Sequence, residues 1–132
     1  MDMTRKGEPI GPQESEKARR QDRARICRVL IEERRLVQAA FGQKLCANFN
    51  WDMLLELYEA ESEGQDVYQS ALCLSAGIPD SSAHRWAAKL AARGVFARRH
   101  DDMDKRRIIV TMTDDTRHAL DRIMDRLARW AP

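Results

Sequence analysis

Between Glu14 and Phe41 no Gly or Pro interrupts the chain, and apolar residues recur at Ile26, Val29, Leu30, Leu36, Val37, Ala40 and Phe41. Residues three and four apart share a helix face, so this spacing predicts one long helix from about Gln13 to Gln43. Its first half differs: Glu16 to Arg25 is almost wholly charged, which predicts a stretch that projects into solvent or crosses a partner. Gly7, Pro9, Gly11 and Pro12 mark residues 1–12 as a disordered leader. A second helix is predicted over 50–63, capped by Asn50 and stopped by Gly64. Met53, Leu54, Leu57 and Tyr58 form its inward side, and its acids form a solvated face.

The pattern then shortens. Gln69 to Ala76 reads as a brief helix closed by Gly77, with Pro79 where a helix cannot continue. Asp80 or Ser81 caps another helix that runs to Arg93 and ends at Gly94, so residues 69–94 predict a helix-turn-helix. At 100° per residue, Ala83, Trp86, Ala87 and Leu90 share one face of the second helix, and Ser81, Arg85, Ala88, Lys89 and Ala92 share the opposite one. Small residues around two long cations allow a close approach to a groove.

Val95 to Arg99 and Arg107 to Thr113 read as two strands of a wing spanning 95–113, joined by a polar tip from His100 to Arg106. Thr113 caps a last helix over 114–130, with Asp114 and Asp115 in the turn that the helix dipole favours for acids. The fold class is therefore mainly α: a single α+β winged-helix domain over 13–132, a helix-turn-helix with a two-stranded wing flanked by two long helices. Those flanking helices find no obvious place in so small a core and suit a dimer interface. Ile26, Leu30, Val37 and Phe41 would form it on the first, with Leu120, Ile123, Leu127 and Trp130 on the last.

Charge sharpens this picture. Leu45 to Asp80 holds seven acids and no Lys or Arg, whereas Ser81 to Arg107 holds eight cations against three acids, a local excess of five that the net charge of +2 conceals. Such a basic surface is the footprint of a phosphate-backbone binder, although a charge run also reads as a solvated face. Arg19, Arg20, Arg23, Arg25 and Arg28 either add phosphate contacts or pair within their helix with Glu16 and Asp22.

Other functions lack their residues. No apolar run approaches the roughly 18 residues of a membrane span, and the first residues lack the apolar core of a secretory signal, which points to the cytoplasm. Cys27, Cys46 and Cys73 are too widely spaced for a zinc site or a disulfide framework and read as small buried residues. His84, His100 and His118 fall in separate elements without metal-ligand neighbours, so no metal is expected. Trp51 and Trp86 read as core. Neither a nucleophile–base pair nor a phosphate-cradling glycine loop appears, so neither an enzyme nor a cofactor is indicated.

Asp104-Lys105-Arg106 at the wing tip, leading into Ile108-Ile109-Val110-Thr111-Met112-Thr113, resembles the MarR family of winged-helix transcription regulators. The Leu72 to Trp86 segment and Gly94-Val95-Phe96-x-Arg98 are similar as well, and Trp51 to Leu55 is like a run in a short subgroup of that family. The resemblance covers about Phe41 to Leu127. Met103 and Lys105 depart from it, since many members carry Pro and Gly in the tip. It implies a homodimer in which the Ser81 to Arg93 helix enters the major groove and Arg106 reaches the minor groove, with Asp104 orienting Arg106. It also implies a small-molecule effector held between the dimer helices and the reading head, for which this chain shows no distinctive ligand-binding residues.

The expected function is sequence-specific binding of double-stranded DNA by a cytoplasmic, homodimeric transcription regulator. Its DNA-binding residues would be Ser81, Ser82, His84, Arg85, Lys89, Arg98, Arg99, Lys105, Arg106 and Arg107. The alternative is a winged-helix protein interaction module whose basic face docks an acidic partner.

Overall fold

In the computed structural model, which describes residues 12–131, the elements run α1 (Pro12–Phe41), α2 (Gln43–Cys46), α3 (Phe49–Ser62), β1 (Val67–Tyr68), α4 (Gln69–Ser75), α5 (Asp80–Ala92), β2 (Phe96–His100), β3 (Ile108–Met112) and α6 (Asp114–Trp130). The leader expected over 1–12 lies outside the described residues except for Pro12, which begins α1. Gly42, at φ +94°, ends that helix two residues after Ala40, and Gln43 belongs to the short α2 rather than to α1 as expected. Few side chains tolerate that backbone conformation.

α3 is the centre of the molecule. Its N-cap is Asn48, whose Oδ1 accepts from the Trp51 amide at 3.2 Å, and not Asn50 as the sequence suggested. Asn50 instead accepts from the Trp86 indole at 2.6 Å and so joins α3 to α5. Met53, Leu55, Leu57 and Tyr58 are all buried, on more than one side of the helix, because α1 packs on one flank and α4 and β3 on others. The expected inward residue Leu54 is only partly buried.

The acids of α3 are not a simple solvated face, because Asp52 and Glu61 meet cations from other helices. Arg34 donates to Asp52 at 2.8 Å, and Arg117 donates to Glu61 at 2.6 Å. Glu61 also accepts the Met112 backbone N–H at 2.8 Å, closing the edge of β3 that the two-residue β1 leaves open. On the other side, Arg23 of α1 reaches Asp125 at 2.8 Å and Asp121 at 3.5 Å on α6, and Asp121 accepts from Tyr58. Arg23 was expected either to contact phosphate or to pair within α1; of that arginine cluster, Arg20 with Glu16 and Arg25 with Asp22 do pair within the helix.

These contacts correct the placement of the long helices. α1 packs along α6 and α3 within one chain. Ile26 and Leu120, both at 3 % exposure, therefore lie in this chain's own core instead of at a dimer surface. Leu30 and Leu127 pack partly against the same core and Val37 is half-buried, whereas Phe41 at 67 % and Trp130 at 86 % stay exposed.

The sheet has three strands in the order β1-β3-β2, all antiparallel. The two-residue β1, which the sequence pattern did not indicate, pairs Val67 with Val110 and Tyr68 with Ile109. The wing pairs Phe96 with Met112 and His100 with Ile108. Burial does not alternate cleanly along β3: Ile109 and Val110 are both covered.

Cys27 and Cys73 are buried, as expected, and Cys46 is half-buried. Burial pushes the Cys27 thiol up to about 12, with Glu59 and Glu56 adding to the effect, and its Sγ donates to the Leu55 carbonyl at 3.3 Å. Cys73 is also pushed up by burial, and its Sγ donates to the Ala83 carbonyl, tying α4 to α5. Neither thiol supplies a ready thiolate. Among the described residues no helix is long and apolar enough to cross a membrane.

Candidate nucleic-acid interface

The turn between α4 and α5 follows directly from Gly77. Its N–H donates to the Leu74 carbonyl at 3.0 Å and that of Ile78 to Cys73 at 2.9 Å, a pair of bonds that requires a left-handed residue, here φ +82°. Ile78 then plugs into the core at 2 % exposure and turns the chain into α5. No side chain caps α5, although Asp80 or Ser81 was expected to: the N-cap is Pro79, and Asp80 is the first-turn acid. Ala83, Ala87 and Leu90 are buried and Trp86 packs partly against them, edge-on to Phe49 at 5.4 Å. The core-facing side is therefore the one the periodicity indicated.

On the outer side Ser81, His84, Arg85, Lys89 and Ala92 are exposed, and Ser82 and Ala88 are half-buried. Arg93 caps the C-terminus of α5 and extends the Arg85–Lys89 row by one more turn. Among the described residues Arg85, Lys89 and Arg93 make no ion pair, and with Asn50, Trp86 and Leu90 they line a cavity of about 320 Å³ beside the helix. Arg93 was absent from the expected contact set, although its spacing of four residues from Lys89 was visible in the sequence.

The wing tip is a braced loop. Asp104 accepts from Arg106 Nε at 3.1 Å, from its Nη2 at 3.3 Å and from its backbone N–H at 3.1 Å. These bonds hold the Asp104 carboxyl below the usual carboxylate range, the Arg106 side chain being the largest cause. The Arg106 side chain is nonetheless 92 % exposed, so it is aimed without being covered. Arg107 is engaged differently. It lies 4.5 Å over the Tyr68 ring, 3.5 Å from Asp101 and 3.8 Å from Asp104, and works as a strut. Asp101, at 7 % exposure, also accepts from the Tyr68 hydroxyl at 3.3 Å and the Met103 amide at 3.1 Å. His100 Nδ1 donates to the Lys105 carbonyl at 2.8 Å. Tyr68 and Asp101 were missed because their partnership joins β1 to the wing across 33 positions.

Arg98 and Arg99 on β2 also diverge. Arg99 is exposed, 3.9 Å from an equally exposed Asp66, a contact of little energetic weight. Arg98 is half-buried and donates to Gln69 Oε1 at 3.1 Å, while Gln69 Nε2 lies 3.4 Å from His84 Nδ1. No group of three His, Cys, Asp or Glu side chains comes together as a metal site among the described residues.

The architecture of a helix-turn-helix followed by a sheet-built wing defines a winged-helix fold. A mutant form of MepR of S. aureus is similar over 78 % of this chain and 76 % of its own, at 16 % identity and a TM-score of 0.50. The heme sensor protein PefR of Streptococcus agalactiae, solved with heme, is similar over 79 % of this chain and 71 % of its own, at 14 % identity and a TM-score of 0.51. At such identities the likeness establishes the fold and nothing finer. No family model matches the sequence, and no curated protein matches it either.

Proposed function

We propose that this protein is a sequence-specific double-stranded DNA-binding transcription regulator that acts as a homodimer in the cytoplasm, with α5 in the major groove and the wing in the minor groove. The observation that carries this reading is the outer face of α5, where Arg85, Lys89 and Arg93 stand without a carboxylate partner among the described residues. A helix with free cations and small neighbours suits phosphates and guanine edges. The aimed and exposed Arg106 suits a narrow minor groove. Phe41, Ile123 and Trp130 support the homodimer, since large apolar side chains exposed on two adjacent helices are covered by a second copy in this reading.

The test is selection from a random duplex pool followed by titration at several salt concentrations. A two-fold dimer selects an inverted repeat with half-site centres about 10 base pairs apart. The logarithm of affinity falls with the logarithm of salt by roughly 0.9 per phosphate neutralised, giving a slope of several units. Weak binding to every duplex, with no slope of that size, defeats the reading and leaves a basic docking face for an acidic protein.

A further inference from the structure

We propose that Gln69 is a positioning residue that decides which nitrogen of His84 carries the proton, and that His84 thereby reads a hydrogen-bond acceptor on a base edge. This rests on the DNA-binding reading above. Gln69 opens α4 and is 8 % exposed, so its amide has few partners besides the two that face it. One is Arg98 of β2, 3.1 Å from Oε1; the other is His84 of α5, whose Nδ1 is 3.4 Å from Nε2.

The chemistry of the three groups leaves one arrangement. A guanidinium has only donors and keeps its proton at any working pH, so the amide oxygen must face Arg98. The amide nitrogen, a donor, then faces His84, and Nδ1 must accept. The single proton of the neutral ring sits on Nε2, at the far edge of an exposed side chain one residue before Arg85. Rotating the amide by half a turn would set N–H against N–H at Arg98. In the major groove guanine offers O6 and N7 and thymine offers O4, all acceptors, whereas cytosine offers only the N4 donor and adenine carries the N6 donor beside N7. A ring locked with Nε2–H therefore bonds a guanine or thymine oxygen, or the N7 of a purine, and meets cytosine, whose one major-groove group is a donor, donor to donor.

Gln69→Glu tests this. The carboxylate still satisfies Arg98 but replaces the donor beside Nδ1 by an acceptor, which draws the proton to Nδ1 and leaves Nε2 bare. Long-range nitrogen–proton spectra of histidine-labelled protein at pH 8 are expected to show His84 as the Nε2–H form in the native chain and the Nδ1–H form in the variant. In selection from a random duplex pool, one position in each half-site is expected to move from guanine or thymine toward cytosine, by about fivefold in the ratio of affinities. An unchanged proton position overturns the proposal. So does a uniform loss of affinity with unchanged base ratios, which is what a merely structural Gln69 would give. If the native chain selects no sequence at all, the regulator reading falls with it; if it selects one and the ratios hold, only this inference falls. Should Gln69→Glu fail to fold, His84→Leu erases discrimination at that position while His84→Lys, whose ammonium carries only donors, restores the preference for guanine or thymine; equal ratios in both and in the native chain overturn the proposal.

Discussion

In the base formed by α1, α3 and α6, Arg23, Arg34 and Arg117 each end on a carboxylate from another helix, at 2.8, 2.8 and 2.6 Å. In the reading head, Arg85, Lys89 and Arg93 end on none among the described residues, and Arg98 ends on a neutral amide that leaves its charge intact. Residue type is nearly the same in both regions; what differs is where the acids lie. α3 carries Asp52 and Glu61 where Arg34 of α1 and Arg117 of α6 reach them, and α6 carries Asp121 and Asp125 for Arg23, so these three cations are consumed in holding the base together. α5 has one acid, in its first turn, where it complements the helix dipole and leaves the cations downstream free. Charge serves stability in one region and remains available to a ligand in the other.

The largest effect should come from removing an acid of the base. Glu61→Ala removes the shorter of the two carboxylate contacts of Arg117, leaving Asp114, and leaves the Met112 N–H without an acceptor. An unsatisfied buried donor costs about 1–3 kcal/mol, and the half-exposed ion pair adds modestly to that, so urea denaturation should show a loss of about 2–3 kcal/mol. The salt slope of DNA binding measured on the folded variant should stay at the native value. A changed slope with unchanged stability would break the division between the two regions.

The converse experiment acts on the head. Arg85→Ala should leave stability within about 0.5 kcal/mol, since it is an exposed substitution, and should weaken binding to the preferred duplex by about 1–3 kcal/mol while relaxing base preference. Arg106→Ala should instead weaken binding to all duplexes and flatten the salt slope by about one unit, because it removes a single cation from a groove with a degenerate pattern. Asp104→Ala should follow Arg106→Ala more weakly, as it frees the guanidinium without deleting it.

Local chemistry was readable in the sequence and distant partnership was not. Thr113 was legible as a cap because its partner, the Thr116 amide, is three residues away. The face of α5 that meets the core was legible because periodicity alone sets it. Asn48 and Asn50 are both good caps two residues apart, and what separates them is the Trp86 indole that claims Asn50 from 36 positions away. β1 was invisible because two residues carry no period, and only β3 makes them a strand. The same limit applied to the dimer residues. Ile26 and Leu120 look like Phe41 and Trp130 in a helical stripe, and only the packing of α1 on α6 divides core from surface. At the candidate site, the exposed cations could be named from the sequence, but Gln69, Tyr68 and Asp101, which orient them, each act through a residue on another element.

The smallest effect concerns acid. Arg23 holds the Asp125 carboxyl below the usual carboxylate range, mainly through their hydrogen bond. A group with a depressed folded-state value stabilises the fold above its unfolded value, near 3.9 for Asp, and that contribution fades as pH falls through the lower folded value. Between about pH 4 and pH 2 the native chain should therefore lose more stability than Asp125→Asn, whose residue at that position does not titrate. The two stability curves should converge at the acid end and separate by pH 6 by a fraction of what Glu61→Ala costs, because Asp125 is partly exposed and its pair with Arg23 is screened. DNA affinity at neutral pH should be equal in both, since neither residue of the pair lies in the head. Parallel stability curves across this range would mean that Asp125 and Arg23 are not engaged in solution, and the contrast between paired cations in the base and free ones in the head would fail at the α1–α6 seam.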